Sequence, residues 1–236
     1  AGLAAVGVVA GLAALAFPDA RPVLFALAGT GLFAAVLTVY LAPGRFVAAD
    51  VGGAAYDAHA SSVEALVDEL GLSARRVYVP TPDGPEPARL FVPQHADYAL
   101  PAAADLGPLF VVTDDPGERG VSLHPTGGPL LQELRRTLSG PLPDDSGPLA
   151  DRLADGAVEA FELAERATPE VGDERVTVGV AGGAFGDVTR VDHPVASLLG
   201  VGLAVGLGRP VAVEAAGADD DRVDVLVTGR WFPDGD

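Results

Sequence analysis

Along the first 42 residues, apolar positions run almost without a break. Ala1–Phe17 carries no charged side chain, and neither does Val23–Ala42. A five-residue connector, Pro18-Asp19-Ala20-Arg21-Pro22, separates them. Neither run shows the polar stripe that a helix at the edge of a globular core presents. Crossing the hydrocarbon core takes about 20 apolar residues, with a working range of about 17–25. The second run has 20 residues and the first has 17. A segment inside lipid must satisfy its own backbone amides, so both runs predict helices. The expectation is a transmembrane hairpin over residues 1–49, with helices at 1–17 and 23–42 and a membrane as its partner. Gly7 and Gly11, and Gly31 and Ala35, have the small-xxx-small spacing that lets two helices pack closely. Tyr40 is placed as an interfacial aromatic. The sequence starts at Ala1 rather than Met, which fits a trimmed or processed form whose first helix begins earlier. A secretory signal would need a basic region ahead of its apolar run, yet the first basic residue is Arg21 and a second apolar run follows at once.

After residue 49 the periodicity becomes that of a mixed helix-and-sheet domain, and the predicted class is α+β. Ala54–Leu70 reads as a helix with Tyr56, Ala60, Val63, Leu66, Val67 and Leu70 near one face, closed by Gly71. RRVYVP, the turn Thr81–Pro87 and Ala88–Pro93 predict a hairpin. Leu109–Thr113 and Gly120–His124 predict a second strand pair, and Pro129–Leu138 an amphipathic helix. Gly140–Pro148 reads as a linker between an α+β portion at 50–139 and another at 149–236. In the second portion Leu149–Ala167 is predicted to be a helix with Phe161 and Ala164 inward. Strands are expected at 174–181, 210–216 and 222–231. Val195–Leu207 has 13 residues, too short to span a bilayer, and is expected to be a core helix covered by those strands. Both portions place a helix before an Arg-Val strand, which reads more simply as a coincidence of similar units than as a repeat.

Charge and composition narrow the setting. The chain has 33 Asp and Glu against 15 basic residues, for a net of −18. Residues 1–49 hold one acid and two Arg, so residues 50–236 carry −19. Every basic residue is Arg, and Lys, Ile, Asn, Met and Cys do not occur. That bias fits a GC-rich genome, and so acidic a surface fits concentrated salt, where self-repulsion is screened. The charge argues against nucleic acid, which needs a basic footprint. Zero Cys removes disulfides, thiolate metal sites and a cysteine nucleophile.

Two resemblances follow from particular strings. DELGLSARRVYVP, ARLFVPQHADY, LFVVTDDPGERG and DHPVASLLGVGLAVGL resemble an uncharacterised family of haloarchaeal proteins with two membrane helices. Membership would imply a membrane protein. Over about residues 150–231, HPVASLLGVGLAVGLGRPVAVEA and RVDVLVTGRW resemble the C-terminal part of 4-vinyl-reductase-like sensory domains. That likeness implies an α+β fold binding a small hydrophobic ligand or a protein partner. The family usually has cysteines near its last helix. Here His193 stands in a Cys-free stretch, so a cysteine-based metal or redox role does not carry over.

Motifs with chemistry are few. GVAGGAFG (179–186) lacks dinucleotide-loop spacing and reads as a loop or bulge. The four His form neither HxxxH nor HxH. Asp187, Asp192 and His193 are candidates to meet around a ligand or cation, although Asp192-His193-Pro194 also suits the polar start of a helix. Phe91, His95 and Tyr98 fall around Pro93 at a strand end and are candidates to line a pocket. No catalytic residue, metal site or cofactor is assigned. The favoured expectation is a non-enzymatic, membrane-anchored module whose domain binds a small hydrophobic ligand or a protein partner. Self-association stays open. The alternative is a membrane-bound, metal-assisted hydrolase using His and Asp. The domain is assigned to the cytoplasmic side of the cell membrane on Arg45, although Arg21 pulls the connector the same way and is partly offset by Asp19.

Overall fold

The computed structural model describes residues 2–41, 49–220 and 222–232. The side chains of Tyr40 and Arg45 lie outside what it describes. The chain divides into two compact units, Ala1–Ala48 and Ala49–Asp236.

The first unit is a helical hairpin of α1 (Gly2–Ala16) and α2 (Arg21–Leu41), joined by a 3₁₀ turn at Pro18–Ala20. Small residues bring the helices together. A Cβ added to Gly31 would lie 3.0 Å from Gly7 Cα, and one on Gly7 would lie 2.9 Å from Leu32 N. Gly11 faces the Ala28 methyl group. Arg21 Nε donates to the Ala14 carbonyl at 3.2 Å across the turn. Residues 18–38 include a helix long and apolar enough to cross a membrane, whereas Leu3–Ala16 is shorter. The outward side chains, such as Val9, Leu15, Phe33 and Val36, are apolar and exposed.

The second unit is α+β. Its helices are α3 (Ala49–Glu69), α4 (Gly127–Thr137), α5 (Ser146–Asp155) and α6 (Pro194–Leu207). Its strands are β1 (Val77–Pro80), β2 (Ala88–Pro93), β3 (Phe110–Val111), β4 (Gly120–Leu123), β5 (Ala164–Val171), β6 (Arg175–Gly183), β7 (Val211–Asp220) and β8 (Val223–Trp231). They form one eight-stranded antiparallel sheet in the order β3-β4-β2-β1-β7-β8-β6-β5. The two portions on either side of residues 140–148 therefore build one sheet. α5 begins at Ser146, inside the segment read as a linker.

α6 is the centre of the core. Every residue from Val195 to Ala204 is buried, and the helix packs on β1, β2, β7 and β8 with α4 and α5 beside it. It is a core helix as expected, but β1 and β2 from the other portion join β7 and β8 as its sheet floor in place of the expected strand at 174–181. Glycines set the approach. A Cβ on Gly202 would lie 2.6 Å from Leu153 Cδ1, and one on Gly127 of α4 would lie 2.6 Å from Leu198 N. On the opposite sheet face Val77, Val79, Phe91, Leu106 and Val111 form a smaller core.

One helix is shorter than its periodicity predicts. The segment expected to be helical to Ala167 stops in a π turn at Gly156–Ala160, reverses at Glu162 (φ 52°), and returns as β5. Pro169 has no N–H and cannot sit inside a helix, but an edge strand tolerates it. β5 is that edge, paired with β6 from Ala164↔Gly183 to Val171↔Val176. The helix–strand similarity between the portions goes with it, because the second member is a β5–β6 hairpin. β3 is shorter than predicted, and Asp219 and Asp220 extend β7 rather than lying in a loop.

Candidate functional site

Asp187, Asp192 and His193 lie in the connection between β6 and α6, and their polar groups serve the fold. Asp187 Oδ1 accepts the Thr189 backbone N–H at 2.9 Å and the Thr189 hydroxyl at 2.8 Å. Those bonds hold its carboxyl below the usual carboxylate range. Asp192 sits in the left-handed region at φ 51° and is buried. Its Oδ1 accepts the Tyr78 hydroxyl at 3.1 Å, and its Oδ2 accepts the Thr126 N–H at 2.6 Å. The Ser197 side chain also hydrogen-bonds it, and Ser197 Oγ accepts the Gly127 N–H at 2.8 Å. Burial pushes the Asp192 carboxyl above its ordinary value while these donors pull it back. One carboxylate thus joins β1, the start of α4 and the start of α6.

His193 is the cap of α6. Its Nδ1 accepts the Val195 N–H at 3.2 Å, so Nε2 carries the proton and donates to the Ala184 carbonyl at 2.9 Å. The Tyr56 ring meets it edge-on at 5.2 Å. Burial pushes the imidazole pKa down, which keeps it neutral. The polar helix start suggested by Asp192-His193-Pro194 is the arrangement found. Beside it, Arg190 clasps α3 through Glu64 at 2.7 Å, Asp57 at 3.0 Å and Ser61 at 2.9 Å. Tyr56 donates to the Val191 carbonyl at 3.1 Å.

Of Phe91, His95 and Tyr98, the structure brings Phe91 and Tyr98 into one small apolar core. β2 is an inner strand with all six residues buried, so Phe91 is core rather than rim. His95 is exposed. Tyr98 is half-buried and meets Phe232 edge-on at 6.5 Å.

A different cluster does frame a cavity, and the sequence reading passed over it. Arg89 is buried in β2 at 7% exposure. A charge there survives only if it is paired and bonded. Its Nε donates to Ser122 Oγ at 3.0 Å, and Nη2 donates to the Ser122 carbonyl at 3.0 Å. Its Nη1 reaches Glu86 at 3.4 Å and the His124 ring at 2.8 Å. His124 Nδ1 also contacts Glu86 Oε1. Strand register explains the meeting: Leu90 pairs with Leu123, which brings Arg89 opposite His124. The visible signal was one charge in an otherwise apolar strand, ARLFVP, with His124 at alternate spacing from Ser122. The cavity over this cluster is about 510 Å³ and lies between the 81–87 turn and a 3₁₀ turn at Ala103–Leu106. Pro82, Pro85, Ala103, Ala104 and Leu106 give it apolar walls, and Glu86, Arg89 and His124 give it a polar end. Its volume falls within the roughly 300–1,000 Å³ typical of small-molecule sites. Among the described residues no three His, Cys, Asp or Glu side chains gather where they could hold a metal ion.

An N-terminal helical hairpin followed by an antiparallel α+β domain with a core helix defines the class of this protein. The chain belongs to the family described as Domain of unknown function (DUF7982), which matches residues 1–231. No curated protein and no solved structure matches it.

Proposed function

We propose that this chain is a membrane-anchored binding module whose α+β domain takes a small, largely apolar ligand in the Glu86–Arg89–His124 cavity. The observation that carries the reading is the cavity's make-up: apolar walls around a buried guanidinium whose donors are already engaged. A fixed, satisfied polar end orients a ligand without needing to be rebuilt on binding. The His124 ring, exposed at the cavity although it contacts Arg89 and Glu86, is the polar group that a ligand hydroxyl or carbonyl meets. In this reading α1 and α2 cross the bilayer as an antiparallel pair and the domain lies in the cytoplasm. The acidic surface suits a haloarchaeal interior, and the likeness to 4-vinyl-reductase-like sensory domains supports a hydrophobic ligand.

Native mass spectrometry of the full chain, released from detergent after purification in molar KCl, tests the binding claim. A small-molecule adduct should be present in the wild type and absent from Ala104→Trp, which fills the cavity mouth, with the melting temperature unchanged. No adduct, or an adduct that survives Ala104→Trp, refutes it. Because the chain has no native Cys, single cysteines at Ala20 and Ala58 report the topology cleanly. They should label from opposite faces of sealed membranes, and same-side labelling refutes the two-span hairpin.

A further inference from the structure

The eight-stranded sheet is nearly divided at its centre. β1 meets β7 over only Val77↔Ala212 and Tyr78↔Val211, extended by one bond from the Val213 N–H to the Arg76 carbonyl at 2.9 Å. β7 runs on to Asp220 with β8 on one side. Antiparallel strands alternate the side to which their N–H and C=O groups point. Ala215, two residues beyond Val213, therefore turns its N–H toward the side that β1 has left. A cleft of about 510 Å³ opens there, lined by Ser73, Arg75 and Arg76 on one wall and by Ala215, Thr228 and Arg230 on the other.

The cleft is basic in a strongly acidic protein. Three of the chain's 15 Arg line it, and a fourth, Arg175, lies directly opposite Arg230 on the neighbouring strand. Like charges facing each other across a sheet are destabilising, and an anion bound beside this pair would offset that. Among the described residues neither Arg75, Arg175 nor Arg230 has a carboxylate within ion-pair distance. That holds although Glu214 lines the same cleft and Asp173 and Glu174 line the groove around Arg175. Elsewhere Arg89, Arg136 and Arg190 are each paired with acids. Arg76 is held in place by donating to the Thr189 carbonyl at 3.0 Å and the Arg190 carbonyl at 3.3 Å.

We infer that this cleft binds a phosphate-bearing ligand, with Arg75 and Arg230 as its charge contacts, Arg175 adding positive charge beside Arg230, and the Ala215 N–H as a neutral donor. The guanidinium fork matches phosphate oxygens two at a time. The site lies on a different part of the sheet from the Arg89 cavity and stands or falls separately from it. The phosphate has two candidate sources, a free phosphorylated small molecule or an anionic lipid headgroup, and the test separates them.

The full chain is placed in nanodiscs of neutral lipid and titrated with pyrophosphate at fixed KCl, followed by ³¹P line broadening. A second preparation uses phosphatidylglycerol nanodiscs without added phosphate and reads the lipid ³¹P signal. Saturable binding in the first identifies a free ligand, and protein-dependent broadening confined to the second identifies a headgroup. Either supports the site if the double variant Arg75→Gln/Arg230→Gln weakens it at least about tenfold, or about 1.4 kcal/mol, with unchanged melting. Arg136→Gln, on α4, should leave binding intact. Absence of binding in both preparations overturns the inference. So does an undiminished signal in the double variant, or an equal loss in Arg136→Gln.

Discussion

Replacing Asp192 by alanine removes the acceptor on which three elements converge. The Tyr78 ring and Ser197 are 1% and 0% exposed, and the Thr126 N–H is held at 2.6 Å. A buried donor left without a partner costs about 1–3 kcal/mol. The two hydroxyls can rotate toward other acceptors and recover part of that, whereas the backbone N–H cannot. Alanine at φ 51° adds about 1–2 kcal/mol of left-handed strain. Removing a desolvated carboxylate returns some energy, as its upward pKa shift implies. The balance is a loss of about 3–5 kcal/mol, the range seen when one partner of a buried ionic network is deleted. Asp192→Asn keeps an acceptor for Thr126 and tolerates the backbone geometry, so about 1 kcal/mol is expected. Urea unfolding of the full chain in detergent and molar KCl reads both values from the midpoint and slope. If alanine costs no more than asparagine, or less than about 1 kcal/mol, Asp192 is not the node described.

Gly127→Ala should destabilise the domain more than Gly202→Ala. The first Cβ meets the α6 backbone, including Leu198 N at 2.6 Å, and the second meets the movable Leu153 side chain; about 1–3 kcal/mol is expected for overpacking at either site, and equal melting temperatures would refute the ranking. His193 binds a proton less readily folded than unfolded, so its contribution to stability is complete above pH 6.5 and is lost as pH falls from there through the lowered native value. His193→Asn, which can still cap α6, should flatten the melting-temperature slope between neutral pH and the carboxylate range. Residues 50–236 carry −19, and the Debye length grows from about 3 Å at 1 M salt to about 10 Å at 0.1 M. The domain's melting temperature should therefore fall on moving from molar to decimolar KCl, and a constant value would argue against a salt-adapted surface.

Local signals carried much of the fold. The hairpin of α1 and α2, the β1–β2 pair with its Pro- and Gly-rich turn, and the Gly71 stop of α3 were legible because each depends on neighbours in sequence. Gly71 adopts φ 61°, and the Leu72 N–H returns to the Val67 carbonyl at 2.9 Å. What failed depends on pairing at a distance. Residues 164–167 have helix-compatible composition, and pairing with the free edge of β6 makes them a strand. The candidate residues divide the same way. His193 was recognisable as a cap from its place before Pro194. Phe91 was misplaced because burial of both faces of β2 is a property of the finished sheet. Arg89 and His124 are 35 residues apart and become neighbours only through the β2–β4 register.

The narrow junction between β1 and β7 also governs the order in which the domain can be made. The β1, β2, β3 and β4 strands are all synthesised before residue 124, yet the edge of β1 that completes the sheet waits for Val211 and Ala212. α6, the helix that fills the space over both halves, arrives just before them. A nascent chain that has exposed residues 77–123 therefore holds an open apolar strand edge until Val211 and Ala212 have been made. Such contacts between distant segments form slowly and leave the intermediate prone to association. The segment from Pro194 to Trp231 acts as the closing step of folding, and a chain interrupted before Val211 is left with the core helix and no strand to finish the sheet beneath it.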